Sequence, residues 1–326
     1  MRVAVLMGGW SAEREVSLTS GRACAAALER LGHEVIAIDM DRAVARRLEE
    51  ACPDLVFNAL HGVPGEDGTV QGLLDLMGLP YTHSGCAASA IAMDKAVAKT
   101  LFAAAGLRVP GGGVVRSADL FRADPLPRPY VLKPVREGSS VGVAILTEGH
   151  AAGTPVRPEA PGPWAHYAEL LSEPFIPGRE LTVAVLGDEP LAVTELVPTR
   201  GFYDYDAKYT AGLTRHVCPA GIADDVAHAA MEAALAAHRL LGCRGLTRSD
   251  FRWDDRAGVE GLFLLELNTQ PGMTPLSLAP EQAAHRGMDF DALVERIVAL
   301  ALEEAPACAA GEAAAALGRP GEGTAA

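Results

Sequence analysis

A chain of 326 residues with 49% hydrophobic and 21% charged positions is longer than one core normally fills and too apolar to be disordered, so two or three folded domains are expected. Its formal net charge of −14 argues against a nucleic-acid partner, because phosphate backbones need clustered Lys and Arg; any phosphate bound must be met locally by a few placed cations and a metal. The six cysteines, at 24, 52, 86, 218, 243 and 308, form no C-x-x-C pair and read as reduced thiols of a cytoplasmic protein. No apolar run reaches the roughly 18 residues of a membrane span, and the five apolar residues after Arg2 are too few for a signal-peptide core.

In chain order, Val3 to Met7 reads as a buried strand ending at Gly8-Gly9, and Ser17 to Leu31 as an amphipathic helix. Val35 to Asp39 is the next strand, Ala43 to Ala51 a helix and Leu55 to Leu60 the third strand. This alternation indicates a parallel α/β sheet, whose ligands bind beyond the strand C-termini. The loops there, Gly8 to Glu15 and His61 to Gly68, should therefore face one cleft. A helix over Met93 to Ala105 carries Lys95 and Lys99. Tyr130-Val-Leu-Lys133-Pro, the small-residue turn Arg136 to Gly142, and Val143 to Leu146 describe a hairpin whose turn can fold over a phosphate.

The stretch from Gly149 to Trp164 is rich in Ala, Pro and Gly and reads as a surface connection. Two strands joined by Gly187-Asp188, Glu180 to Leu186 and Leu191 to Val197, open a further domain. Thr199 to Thr214 is a long loop, of a length that is usually functional or disordered, and its aromatic segment Phe202 to Tyr209 favours function. Ala227 to Leu241 and Phe290 to Glu304 are helices, and the Ala/Gly-rich residues after Pro306 read as a frayed tail.

The most informative residues lie near the C-terminal end. Glu266 and Asn268 are two apart on the apolar strand that precedes Thr-Gln-Pro-Gly272, so both project to one face. The strand-like segment Gly245 to Trp253 adds Asp250, with Arg248 on its own face. Three hard oxygen donors beside a guanidinium suit a metal-bound polyphosphate. No G-x-x-x-x-G-K-[ST] occurs, and no G-x-G-x-x-G follows the first strand, so a nucleotide must be held in another way. Lys133 is a candidate: an ammonium at the end of an apolar strand either meets an anion such as phosphate or carries its head to solvent. Gly138-Ser139-Ser140-Val141-Gly142 also matches G-x-S-x-G, which would make Ser140 the nucleophile of a serine hydrolase. That elbow demands a helix straight after the serine, whereas Val143 to Leu146 is a strand pattern.

Six segments in order, Gly8 to Ser17, Leu60 to Gly72, Met93-Asp-Lys, Lys133 to Gly142, Phe202 to Tyr209 and Glu266 to Thr274, resemble the D-alanine–D-alanine ligases of the ATP-grasp superfamily. The resemblance runs from Val3 to about Leu302. It implies a three-domain α/β ATP-grasp architecture: an N-terminal parallel α/β substrate domain over 1–92, a central lid domain over 93–172, a C-terminal metal-binding and catalytic domain over 173–305, and a flexible tail over 306–326. The activity implied is ATP-dependent ligation of two D-alanines through a D-alanyl phosphate, for peptidoglycan precursor synthesis by a cytoplasmic homodimer with no membrane partner.

By the same resemblance, Lys95, Lys133 and Lys208 would bind the ATP phosphates, adenine would lie along Glu173 to Ile176, and Glu180 would meet the ribose. Asp250, Glu266 and Asn268 would hold two Mg²⁺ ions, replaceable by Mn²⁺. Glu13 would take the ammonium of the first D-alanine and form a latch with Ser139 and Tyr209, while His61 would orient Glu13 or substrate or be satisfied by its own loop. Arg248 and the amide of Gly272 would stabilise the oxyanion, and Ser277 would meet the carboxylate of the second D-alanine. Family members commonly carry a lysine where this chain has Pro174, which offers no cation to the adenine. Three other readings are a D-alanyl-D-lactate or D-alanyl-D-serine ligase, against whose lactate form Tyr209 speaks, the hydrolase, and a non-catalytic relative, which would have lost a metal ligand.

Overall fold

The computed structural model describes residues 1–120, 122–138, 142–147, 166–198 and 214–303. Strand β1 (Arg2–Gly8) is buried from Val3 onward, which its uninterrupted apolar run requires. It lies between β2 (Glu34–Met40) and β3 (Leu55–Asn58) in a parallel sheet of order β2-β1-β3, as the strand–helix alternation predicts. Helix α1 (Arg14–Arg30) covers one face, burying Ser17, Ser20, Gly21, Cys24, Ala27 and Leu28 at the three- and four-residue spacing of a helical stripe. Helix α2 is Val44–Ala51.

Two helices appear that periodicity does not reveal, α3 (Thr69–Met77) and α4 (Cys86–Met93). The helix expected from Met93 begins instead as α5 at Lys95 (Lys95–Ala104), because the Asp94 carboxylate accepts from the amides of Ala96 and Val97 and sets the boundary.

A second sheet is antiparallel, in the order β4 (Gly113–Arg116), β7 (Glu169–Pro174), β5 (Tyr130–Pro134), β6 (Ala144–Leu146). The expected hairpin is its β5–β6 pair, with Tyr130 opposite Leu146. The division expected between 172 and 173 falls inside β7, which runs on to Pro174.

The third sheet contains the predicted antiparallel pair β8 (Arg179–Leu186) and β9 (Glu189–Pro198), together with β10 (Thr214–Val217), β11 (Leu246–Trp253) and β12 (Leu262–Asn268), in the order β10-β9-β8-β11-β12. Helices α6 (Asp224–Leu240), α7 (Leu278–His285) and α8 (Phe290–Glu303) accompany it. One apolar cluster runs through the first sheet and the third: Val3, Val5 and Phe57 share it with Leu186, Leu246, Met273, Leu293 and Ile297. This shared core brings the loops after β1 and β3 to the end of the β11–β12 ladder. Among the described residues no helix is long and apolar enough to cross a membrane.

Candidate active site

The β11–β12 ladder sets Asp250 opposite Glu266 and Arg248 opposite Asn268. Paired residues of an antiparallel ladder project to the same face, so all four side chains share one surface. The Arg248 guanidinium grips Asp250 with both arms, Nε to Oδ1 at 2.8 Å and Nη2 to Oδ2 at 2.8 Å, and the Thr182 hydroxyl on β8 donates to the same Oδ1 at 2.7 Å. Glu266 Oε2 lies 3.5 Å from Lys95 Nζ. Asn268 Oδ1 accepts from the Gln270 amide at 2.7 Å, which starts the turn toward Gly272. Among the described residues there is no group of three His, Cys, Asp or Glu suited to a metal. Here the donor set is two carboxylates and an amide oxygen. Each carboxylate keeps lone pairs beyond its present bonds, and an all-oxygen set fits Mg²⁺ or Mn²⁺.

Facing this ladder are the loops after β1 and β3. The Ser17 hydroxyl accepts from the Gly8 amide and donates to the Ala59 carbonyl, both at 2.8 Å, fastening the two strand ends together. Ser11 donates to the His61 carbonyl at 2.7 Å. Glu13, 8% exposed, presses against two glycines: a Cβ on Gly62 or Gly138 would stand 3.1 Å from its Oε2. The ring nitrogens of His61 are engaged elsewhere, Nδ1 3.3 Å from Glu66 Oε1 and Nε2 3.1 Å from Ser20 Oγ. Of the roles expected for His61, orienting Glu13 or substrate or being satisfied within its own loop, these contacts show the ring held by Glu66 of that loop and by Ser20 of α1. Burial raises the Glu66 carboxyl above the usual range, His61 lowers it, and the charge of Glu13 raises it further. Ser20 Oγ also accepts from the Met273 amide at 3.3 Å, joining this cluster to the Gly272 turn. Glu66 was not singled out from the sequence, although its place five residues after His61 in a ligand-facing loop was visible.

Glu13, His61, Glu66, Gly138, Arg248, Asp250, Glu266, Asn268, Gly272 and Ser277 all border one cavity of ≈ 510 Å³. Ser277 stands at the N-cap of α7, and its Oγ accepts from the Thr274 amide at 2.9 Å and lies 2.9 Å from the Thr274 hydroxyl.

The residues expected around ATP form an adjoining group. Lys95 Nζ donates to the Glu137 carbonyl at 2.5 Å. Lys133 does have a buried anionic partner, but it is protein: its Nζ is 2.6 Å from Glu173 Oε2. Lys99 donates to the other oxygen of Glu173 at 2.6 Å. This pair spans 40 residues of sequence and leaves no local signal. The Ile176 carbonyl accepts from Arg252 Nε at 3.1 Å, and Glu180 lies 3.7 Å from the same guanidinium. Ser139, Ser140, Lys208 and Tyr209 lie outside the described residues. The element that follows the G-x-S-x-G match is strand β6, not the helix of a hydrolase elbow.

Two family models match the chain, one described as the D-ala D-ala ligase N-terminus over residues 44–84 and one as the D-ala D-ala ligase C-terminus over residues 115–299. A D-alanine–D-alanine ligase of Sphingopyxis alaskensis is 67% identical over 300 residues, which is 92% of this chain and 97% of that protein. The corresponding protein of Novosphingobium aromaticivorans is 64% identical over 305 residues, 94% of this chain and 97% of its own. Among solved structures, D-alanine–D-alanine ligase from Bacillus anthracis complexed with ATP superposes with a TM-score of 0.76 at 26% identity, covering 96% of this chain and 99% of that one.

Proposed function

The chain belongs to the D-alanine–D-alanine ligase family, and from that premise we infer that it joins two D-alanines into D-alanyl-D-alanine with conversion of ATP to ADP and phosphate, supplying peptidoglycan precursor synthesis. The observation that supports this best is one cavity bordered on one side by Glu13 and on the other by Arg248, Asp250, Glu266 and Asn268. An anion for an ammonium, and oxygen donors with a guanidinium for a phosphoryl group, are what an amino-acid-activating ligase must bring together.

In this reading Glu13 takes the ammonium of the first D-alanine, a role suited to an acidic side chain at the border of the cavity. His61 holds Glu66 and Ser20 and thereby fixes the wall behind it. Lys95, Lys133 and Lys208 bind the phosphates of ATP, adenine lies along Glu173 to Ile176, and Glu180 meets the ribose. Asp250, Glu266 and Asn268 would hold two Mg²⁺ ions, or Mn²⁺ in their place, which offset phosphate charge when bound. The carboxylate of the first D-alanine attacks the γ-phosphorus, ADP leaves, and a D-alanyl phosphate results. The amine of the second D-alanine, whose carboxylate is received by Ser277, then attacks the acyl carbon. Arg248 and the Gly272 amide stabilise the oxyanion, and phosphate leaves. Because an acyl phosphate hydrolyses in water, Ser139 and Tyr209 close with Glu13 as a latch before it forms.

Three units are assigned to this work: 1–92 for D-alanine, 93–172 as the central lid, and 173–305 for metal and catalysis. A cytoplasmic homodimer completes the reading. The test is an acceptor competition in which D-alanine, D-lactate and D-serine are supplied together with ATP and the products are separated by mass. The dipeptide D-alanyl-D-alanine is expected to dominate; a predominant D-alanyl-D-lactate or D-alanyl-D-serine would reassign the enzyme.

A further inference from the structure

Glu173, Lys99 and Lys133 form a closed ionic cluster of two ammonium groups and one carboxylate, carried on three elements. Glu173 on β7 is 3% exposed and Lys133 on β5 is 7% exposed; the Lys99 side chain, from α5, is 11% exposed. Both ammonium groups stand 2.6 Å from Glu173, each on its own oxygen. The two lysines are held differently. Lys99 also donates to the Gly111 carbonyl at 2.7 Å, so it is anchored by two acceptors, whereas among the described residues Lys133 meets Glu173 alone. A carboxylate this buried cannot be stripped of its only cation cheaply, because an uncompensated buried charge is strongly destabilising. With two cations it can release one. The cluster as a whole carries one excess positive charge in a low-dielectric setting, the condition under which an anion is attracted.

We propose that Lys99 is a positioning residue for nucleotide binding: it is the fixed counter-ion of Glu173, and this frees Lys133 to exchange Glu173 for the phosphates of ATP. The proposal rests on the reading of Lys133 as a phosphate ligand. Without Lys99, Lys133 and Glu173 form a one-to-one pair of zero net charge, and a phosphate can recruit Lys133 only by leaving Glu173 bare. Burial lowers the pKa of Lys99 while Glu173 raises it, so the ammonium depends on the carboxylate as much as the reverse.

The experiment is calorimetric titration with ADP, with KM values for ATP and D-alanine measured alongside, on Lys99→Met, Lys99→Arg, Glu173→Gln, the double variant Lys99→Met/Glu173→Gln, and Lys133→Met. Lys99→Met is expected to weaken ADP binding and raise the ATP KM by about 10-fold or more, near 1.4 kcal/mol, with the D-alanine KM unchanged. Lys99→Arg is expected to stay within about threefold of the parent, since the charge is kept. In the Glu173→Gln background, which has no buried carboxylate to balance, removing Lys99 is expected to have no further effect. Unaltered ADP binding in Lys99→Met, or an equal loss from Lys99→Met with and without the Glu173 charge, overturns the proposal while leaving Lys133 a ligand. Undiminished ADP binding in Lys133→Met overturns it together with the reading on which it rests.

Discussion

Asp250 and Glu266 are directly opposed residues of the β11–β12 ladder, and each has its own cation, Arg248 of the same strand for Asp250 and Lys95 of α5 for Glu266. Two carboxylates on one face would repel, and this pairing holds them together at the border of the cavity.

Glu266→Gln keeps the shape and the neighbouring strand contacts but removes one anionic oxygen donor. D-alanine-dependent phosphate release in this variant is expected to fall by roughly 100-fold or more, because one ligand contributes a few kcal/mol to a charged transition state. Steady-state assay across a Mg²⁺ series checks it. Parental turnover at every metal concentration would remove Glu266 from the metal set.

Arg248→Met leaves Asp250, 9% exposed, with Thr182 as its neutral partner. We expect a stability loss of about 2–4 kcal/mol in denaturant unfolding, since breaking a buried pair strands a charge. Arg248→Lys should not restore the parent, because one ammonium cannot replace a two-armed grip. Arg248→Met/Asp250→Asn should regain most of the stability without regaining activity. Full stability in the single variant would show that Asp250 needs no guanidinium.

The parallel sheet, the β5–β6 hairpin and the Glu266/Asn268 face were legible because each is a local pattern: alternating elements, strand–glycine–strand, and side chains two apart. Helix α4 was not, since Cys-Ala-Ala-Ser-Ala-Ile-Ala-Met is apolar almost throughout and has no polar face for periodicity to detect. Helix α3 follows directly on the His61 to Gly68 loop, with Gly68 at its N-cap and Gly72 inside it, and glycines at those places weaken a helical pattern. The site was legible where it lies within one segment. The partnership of Lys99 with Glu173 and that of His61 with Ser20 join residues 74 and 41 apart, and such pairings exist only once the sheets are assembled. The cation of Lys133 was recognised as needing an anion, but the anion could not be named from the strand that carries it.

Ser139 and Ser140 separate ligase from hydrolase. Ser139→Ala is expected to weaken D-alanine use by about 1–2 kcal/mol, roughly 5- to 30-fold, through loss of hydroxyl bonds in the latch. Ser140→Ala should be milder, because backbone amides can still face phosphate. A serine-directed phosphonate should leave the protein unlabelled. Stoichiometric labelling of Ser140 with loss of all turnover would instead establish a nucleophile.

Acid should destabilise this fold through its buried histidines. Burial pushes His83 down to about 4, and His238, whose Nδ1 is 2.8 Å from the Thr247 hydroxyl, also to about 4. An unfolded histidine titrates near 6.5, so between those values the unfolded chain binds more protons than the folded one, and stability falls as pH falls. From pH 7 to pH 5 each should contribute a loss of about 1–2 kcal/mol. His83→Asn, which tolerates the positive φ of 69° at this position, should flatten the slope of stability against pH in this window. A slope equal to the parent's would show that His83 is not the group responsible.

The most direct measurement is the stoichiometry of one reaction mixture containing the protein, ATP, Mg²⁺ and a single amino acid. With D-alanine, one D-alanyl-D-alanine should form for each ADP and each phosphate released, and with L-alanine neither phosphate nor dipeptide should appear. Phosphate release that does not need D-alanine, or proceeds equally with L-alanine, or yields no dipeptide, would contradict the assignment.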